Sequence, residues 1–299
     1  MKFVFCFTFL LLNFSNTFSR DPKWWNDKHQ WDGITPWYEY ITNSPKYMGP
    51  NALPVPDIKN GTIPENAELN VAFDYHTSKH DNTKNLYTDV FFPLFHKRVG
   101  LKLNYVPIEY YETDTIIRDI RKARNYDAKG YSLGDVYIAT YVQLIENHNK
   151  LPDVLLTINL KTASGTKLED ARHTDTPGYF FDLSFGKKYS FTEKRVKYIK
   201  PYIMAGLYIW QINGYGQMQN DAFLYGAGFD LGFNKLELTN ALGGYIGYIG
   251  NGDKPMVYRL TLKSTFSKKI NYLFRFQQGL HDFEYTSFRF GLNFSLKKD

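Results

Sequence analysis

Residues 287–296 decide the fold class of this chain, because they alternate between apolar and polar positions without a break. A β-strand sends successive side chains to opposite faces, so such a stretch predicts a strand with one apolar and one wet face. The apolar positions are Phe288, Phe290, Leu292, Phe294 and Leu296, and the intervening positions are Ser287, Arg289, Gly291, Asn293 and Ser295.

The same period-two pattern recurs from Ala67 onward and divides the chain into twelve predicted strands. Each is close to, or slightly longer than, the ~9–11 residues that a tilted strand needs to cross hydrocarbon. An all-β fold, a closed antiparallel up-and-down transmembrane β-barrel over residues 67–299, is therefore expected. The predicted strands are 67–77, 85–95, 98–111, 134–145, 153–163, 178–187, 197–212, 221–233, 235–248, 256–266, 270–280 and 285–296.

Composition supports a barrel and excludes several other classes. Mean hydropathy is −0.42, and no run of ~18 apolar residues follows the N-terminal segment, which excludes helical membrane spans. Yet aromatic residues make up 18% of the chain, and lipid-facing barrels use them on the outer wall and at both interfaces. The alternative is an aromatic-rich exported β-sandwich. The net charge of +6 is dispersed, so nucleic acid is not an expected partner.

The lengths of the connections favour the membrane barrel over the sandwich. Most even-numbered connections are short, whereas the odd-numbered ones include the two longest, at about 112–133 and 164–177. Outer-membrane barrels have short periplasmic turns and longer external loops. The sixth connection, 188–196, is somewhat long for a periplasmic turn. An even number of strands leaves both ends of the barrel chain on the periplasmic side.

Residues 1–19 are predicted to be a cleaved signal peptide. Lys2 is followed by an apolar run from Phe3 to Leu12, and small polar residues lead to Ser19. The chain's one cysteine, Cys6, lies in this segment, so disulfides and cysteine-bound metals are not expected in the mature protein. Export of this kind predicts the outer membrane of a Gram-negative bacterium.

Residues 20–66 are aromatic and proline-rich and have no clean period. Proline cannot donate to an interior strand ladder, so we expect an ordered but irregular segment on the periplasmic side, or a plug entering the barrel. A plain tether is the alternative. Glycines that share the inward parity of two neighbouring strands leave space for such a segment or for a solute path: Gly226, Gly228, Gly232, Gly243 and Gly247.

If the apolar positions of each strand face lipid, the alternating positions between them face the lumen, and their side chains are predicted to line it. Basic residues concentrate in the last three strands and acidic residues in the first six, so Arg289 and Arg275 are expected to face Asp74 and Asp89. Barrels of ~8 strands are filled by side chains and those of ~16 strands enclose a water channel. Twelve strands lie between these cases, so the sequence does not decide whether the lumen is open or plugged. The predicted lining residues are Asp74, Asp89, Lys102, Asp135, Tyr137, Tyr141, Lys161, Asp182, Lys200, Tyr202, Trp210, Asp230, Glu237, Arg259, Lys263, Arg275 and Arg289.

One short motif has the spacing of a catalytic pair. His76 and Ser78 lie two residues apart, so both face one side of a strand, where His76 could take the proton of Ser78. This gives the hypothesis of an outer-membrane lipid hydrolase. His76 shares parity with Asp74, however, and no orienting group lies at matched spacing, so we do not expect an enzyme. No cofactor or metal site is expected either.

The motif Gly134-Asp135-Val136-Tyr137, followed by Leu151-Pro152-Asp153 and by residues 156–165, resembles a porin-like pattern. It is similar to the outer-membrane barrels grouped with the meta-pathway phenol-degradation transporters, although Ala163 stands where that pattern often has proline-threonine. The resemblance implies passive uptake of small solutes, including hydrophobic or aromatic compounds. The C-terminal aromatic strand also resembles the signal read by the barrel-assembly machinery.

The leading hypothesis is therefore a porin-like channel for small solutes in the outer membrane. Its expected partners are outer-membrane lipid, the barrel-assembly machinery and the solute itself. The alternatives are a structural or adhesion barrel with a closed lumen, and the lipid hydrolase.

Overall fold

The computed structural model describes residues 22–95, 98–192, 194–214 and 217–296. The expected signal peptide, residues 1–19, lies outside this part of the chain, as do Lys297, Lys298 and Asp299.

Fourteen strands occur in the described residues, and twelve of them form one closed antiparallel barrel. The expected fold class is confirmed. The other two strands, β4 and β8, are short and pair only with β3 and β9. The strands are β1 (Ala67–Thr77), β2 (Asp81–Leu94), β3 (Val99–Thr113), β4 (Lys129–Ser132), β5 (Tyr137–Ile145), β6 (Asp153–Lys161), β7 (Gly178–Gly186), β8 (Tyr189–Ser190), β9 (Tyr198–Gly214), β10 (Gln217–Gly232), β11 (Leu236–Gly247), β12 (Met256–Ser264), β13 (Ile270–His281) and β14 (Thr286–Leu296).

The barrel closes between its first and last strands, where Ala67 of β1 lies opposite Leu296 of β14. We call this end of the barrel, where β1 begins and β14 ends, the terminus end. The opposite end carries the connections 114–136, 162–177 and 248–255, and we call it the loop end.

Alternating burial along the strands separates an outer wall from an interior. In β7, Phe180, Asp182 and Ser184 are buried, whereas Tyr179, Phe181 and Leu183 between them are exposed. Large apolar side chains are exposed in the same way around the barrel, among them Phe73, Ile158, Ile203, Phe223, Ile246 and Phe290. This wall is the apolar surface that a bilayer requires of a barrel.

Two strands begin earlier than the sequence pattern predicts. β2 begins at Asp81 instead of residue 85, and β10 begins at Gln217 instead of residue 221. The first residues of β2, Asp81 to Lys84, are all polar, so they lack the apolar parity that marks a strand inside hydrocarbon. The first and seventh connections are consequently as short as the even-numbered ones, and the predicted alternation of loop lengths is only partly correct.

In the part of the chain that the structure describes, helical structure is confined to short segments outside the barrel wall. Helix α1 spans Lys23–His29 and α2 spans Thr115–Ile120. The Asp114 carboxylate caps α2 by accepting hydrogen bonds from the amides of Ile116 and Ile117, both at 3.0 Å. Among the described residues, no helix has the length and apolarity to cross a membrane.

Candidate functional site

The interior of the barrel is crossed from end to end by residues 43–62, which we call the luminal segment. At the loop end, Trp210 Nε1 donates to the carbonyl oxygen of Asn43 at 3.2 Å, and the Gly49 amide donates to the carbonyl oxygen of Ala171 at 2.8 Å. At the terminus end, Lys200 Nζ donates to Thr62 Oγ1 at 3.0 Å. The chain therefore enters the lumen at the loop end and leaves it where β1 begins.

Residues 22–42 lie at the loop end as well. Trp25 is fully buried there and donates through Nε1 to the carbonyl oxygen of Lys122 at 2.8 Å. The described residues before the luminal segment therefore lie at the end of the barrel opposite to the one where β1 begins. An extended residue advances ~3.3 Å, so the twenty residues from 43 to 62 are long enough to cross a barrel of 11-residue strands.

Wall side chains bind the backbone of the luminal segment directly. Tyr245 Oη donates to the carbonyl oxygen of Leu53 at 2.8 Å, and Gln143 Nε2 donates to that of Gly61 at 2.7 Å. Arg259 donates to the carbonyl oxygens of Val55 (2.5 Å) and Pro56 (2.8 Å). An irregular chain in the interior has no strand partner for its carbonyl groups, and these side chains supply one.

A socket of two glycines receives Ile58 of the luminal segment. Gly226 of β10 and Gly243 of β11 are direct cross-strand partners. A β-carbon at either glycine would lie only 2.3 and 2.4 Å, respectively, from Ile58 Cδ1. The space predicted from inward-facing glycines is thus filled by the N-terminal segment at these two positions.

Between Asp57 and Asn60, polar side chains of the luminal segment also meet charged wall residues. Lys59 Nζ lies 2.8 Å from Asp182 Oδ2, and Asn60 Nδ2 donates to Asp230 Oδ2 at 2.8 Å. Asp57 Oδ1 lies 3.0 Å from Arg275 Nη1.

The predicted charge pairing across the closure of the barrel is present at one of its two positions. Arg289 of β14 lies directly opposite Asp74 of β1 and donates to both carboxylate oxygens, at 2.6 and 2.8 Å. Arg275 does not meet Asp89, because it contacts Asp57. The nearest cation to Asp89 is Lys102, at 3.6 Å.

The other residues predicted to line the lumen also lie in the interior, and several of them pair with neighbouring polar residues. Asp135 and Lys161 form a buried pair at 2.8 Å near the loop end. Toward the terminus end, Lys200 pairs with Asp153 (3.3 Å), Lys263 with Glu68 (3.5 Å), and Tyr198 donates to Glu237. The aromatic members are Tyr137, Tyr141, Tyr202 and Trp210, all fully or partly buried.

Two cavities remain between the luminal segment and the wall. Their volumes are about 150 and 110 Å³. They share five lining residues, namely Asp57, Tyr87, Lys102, Arg275 and Arg289. The basic wall formed by β3 and β12–β14 therefore borders these cavities, and the first of them also reaches Tyr137 on β5 and Phe180 on β7.

A buried ionic cluster closes the loop end above these cavities. Arg172 is fully buried and pairs with Asp81 at 2.7 Å and with Glu109 at 2.9 Å. Arg121 reaches the same Asp81 carboxylate at 2.6 Å. Asn51 of the luminal segment donates to Glu109 at 2.6 Å. Sequence reasoning missed this cluster, because both arginines lie in loops without a strand period.

The hypothesis of a His76–Ser78 pair is wrong. His76 instead contacts Ser287 Oγ through Nδ1 at 2.7 Å and Asn85 Oδ1 through Nε2 at 3.0 Å. Ser78 Oγ contacts the backbone of Asp81. Within the described ranges, no group of three or more histidine and carboxylate side chains could hold a metal ion.

A closed twelve-stranded barrel with an apolar outer wall and a charged interior defines an outer-membrane type of β-barrel. One similar solved structure is an outer membrane channel from Pseudomonas putida F1, with a TM-score of 0.54 and 11% identity over 81% of this chain and 98% of that chain. Two others are the NanC porin (TM-score 0.48, 12% identity, 76% and 100% covered) and the KdgM porin (0.45, 10%, 76% and 99%). No family model and no curated protein matches. The expected likeness to outer-membrane channel barrels is confirmed at the level of the fold.

Proposed function

We propose that this protein is a porin-like channel of the outer membrane that admits small solutes, and that residues 43–62 are its plug. The observation that carries the proposal is the course of this segment. It runs through a charged lumen from end to end and borders two cavities that share the basic residues Lys102, Arg275 and Arg289. The exposed apolar outer face supports bilayer lipid as the surrounding partner. The aromatic β14 supports recognition by the barrel-assembly machinery.

The contacts of the plug are of a kind that can be exchanged for water. Apart from the Ile58 socket and the apolar contacts of residues such as Leu53 and Val55, they are hydrogen bonds and ion pairs to polar wall residues. An individual hydrogen bond contributes little net stability when water satisfies the same groups after release, whereas the buried Lys59–Asp182 pair is costly to break unless water enters the lumen. The plug can therefore move when water replaces these contacts, and its movement widens the passage beside the basic wall.

A reversible crosslink tests the proposal. The position of a β-carbon at Gly243 lies 2.9 Å from Ile58 Cγ1, so Ile58→Cys with Gly243→Cys brings two thiols within reach of a disulfide. The natural Cys6 lies in the expected signal peptide, which leaves this pair alone in the mature protein. In planar bilayers we expect current steps from the reduced double variant and none from the oxidised one.

The two single-cysteine variants are the matched controls, and an oxidant should leave their current unchanged. If wild type and the reduced double variant both pass no current, the channel function is wrong. If the oxidised double variant conducts like the reduced one, the luminal segment is not the plug.

A second candidate, a structural or adhesion barrel with a closed lumen, is favoured by one observation. Arg172, Asp81 and Glu109 form a fully buried network that ties the loop 162–177 to strands β2 and β3 over the lumen. That candidate predicts no current in either redox state.

A further inference from the structure

The plug carries one carboxylate, Asp57, into the most basic part of the lumen. Its Oδ1 lies 3.0 Å from Arg275 Nη1 and 3.4 Å from Arg259 Nη1. Its side chain remains 45% exposed, because it borders both cavities. The Asp57 carboxylate therefore contacts the two arginines on one side and faces open space on the other.

Among the described residues, Arg259 and Arg275 differ from the other charged residues of this wall because no carboxylate on a strand pairs with them. Arg289 is held by Asp74, and Lys102 lies beside Asp89. In the described part of the chain, Asp57 is the carboxylate that pairs with Arg259 and Arg275.

The position of Arg275 makes a counter-ion necessary. It lies directly opposite Arg289 in the β13–β14 ladder, and like charges that face each other across strands are destabilising. Asp74 neutralises Arg289, so the charge of Arg275 is balanced from the plug. When the plug leaves, two guanidinium groups face the cavity without an anion.

We infer that Arg259 and Arg275 form a carboxylate-binding site of the channel, and that Asp57 occupies it as an internal ligand in competition with an aromatic or similarly flat organic carboxylate. The inference rests on the proposed function, whose solute class it names. Guanidinium groups present planar forks of donors that match a carboxylate. Tyr87, Tyr141 and Phe180 line the same space and supply apolar surface for the body of such a solute.

Competition of this kind sets a quantitative expectation. A tethered carboxylate acts at a high effective concentration. A free carboxylate can bind only during the fraction of time in which Asp57 is away from the arginines, and its apparent affinity is lowered accordingly. Removing its charge should raise that affinity, chiefly at Arg275, because Arg259 still donates to the backbone of Val55 and Pro56 while the plug is in place.

Calorimetric titration of the refolded full chain with benzoate tests the inference. Asp57→Asn keeps the shape of the side chain, and we expect it to bind benzoate at least about tenfold more tightly than wild type. The neutral probe benzamide should show no such gain. Arg259→Gln combined with Arg275→Gln in the Asp57→Asn background should remove the gain, and Arg275→Lys, which keeps the charge and loses the fork, should reduce it.

Asp182→Asn is the matched control, because it breaks the other ion pair of the plug, with Lys59, and frees no wall arginine. It should leave benzoate affinity within about twofold of wild type. Equal affinity of Asp57→Asn and wild type for benzoate overturns the inference. So does an equal gain in Asp182→Asn, because a loosened plug alone would then explain it. The calorimetric titration does not depend on conductance. If every variant fails to conduct, the proposed function is refuted, but the binding result still tests this inference.

Discussion

The Ile58 socket gives the sharpest prediction about how the plug is held. Ile58→Ala removes three carbon atoms from a partly buried position between Gly226 and Gly243. At ~0.8 kcal/mol per buried methylene, and with incomplete burial, the plug should lose about 2 kcal/mol of binding free energy. This corresponds to a roughly 30-fold rise in the population of the released plug.

Release can be measured by the accessibility of a cysteine in the plug. Ala52 is completely buried at the loop end of the luminal segment, and Ala52→Cys changes its size little. When opening and closing are fast, the rate of maleimide labelling follows the population of the open state. We expect labelling of Ala52→Cys to be roughly 30-fold faster when Ile58→Ala is also present.

Gly243→Ala provides an independent check, because its new methyl group would collide with Ile58. Alone it should also speed up labelling, whereas the double variant Ile58→Ala/Gly243→Ala should label more slowly than Gly243→Ala, since the smaller side chain leaves room for the methyl group. Labelling within twofold of the parent in Ile58→Ala, or no rescue in the double variant, would refute the socket as an anchor of the plug.

Two further predictions concern the loop end. Arg172→Met leaves Asp81 and Glu109 buried with one cation fewer. Breaking a buried pair in this way costs about 3–5 kcal/mol of folding stability. The midpoint of thermal unfolding should therefore fall clearly below that of the surface variant Lys167→Met. Burial raises the pKa of Asp170, in the loop 162–177, to about 6 from an ordinary 3.8. The folded state thus favours the protonated form of Asp170. Its contribution of about 3 kcal/mol to folding stability is present at low pH and is lost as pH rises from ~4 to ~6. Asp170→Asn should remove this part of the pH dependence of thermal stability, and an unchanged profile would contradict the assignment.

The strand pattern was predictable because the side-chain period of a strand is a local property. In the sequence of β14, Phe290 and Arg289 already lie on opposite faces, and the structure places Phe290 on the outer wall and Arg289 against Asp74. The limits of β2 were not predictable, since Asp81 to Lys84 continue the ladder at the rim of the barrel, where no apolar face is needed.

The course of residues 22–66 could not be read from the sequence for a different reason. Prolines and irregular aromatics exclude a strand, but they do not say to which end of a barrel the chain runs. The inward glycines were the one available signal, and they pointed to a space without naming its occupant. Ile58 fills that space through contacts between residues more than 160 positions apart.

The sequence by itself determined the barrel, its strand number and the wet and apolar faces of its wall, because alternation and strand length act over a few residues. The tertiary structure alone decided the partners of the luminal charges. Arg259 and Arg275 appear in the sequence as basic residues of the last strands, and barrel closure led us to expect Arg275, with Arg289, to face Asp74 and Asp89. In the folded chain, their carboxylate comes from Asp57, because long-range packing decides which charges meet inside the lumen.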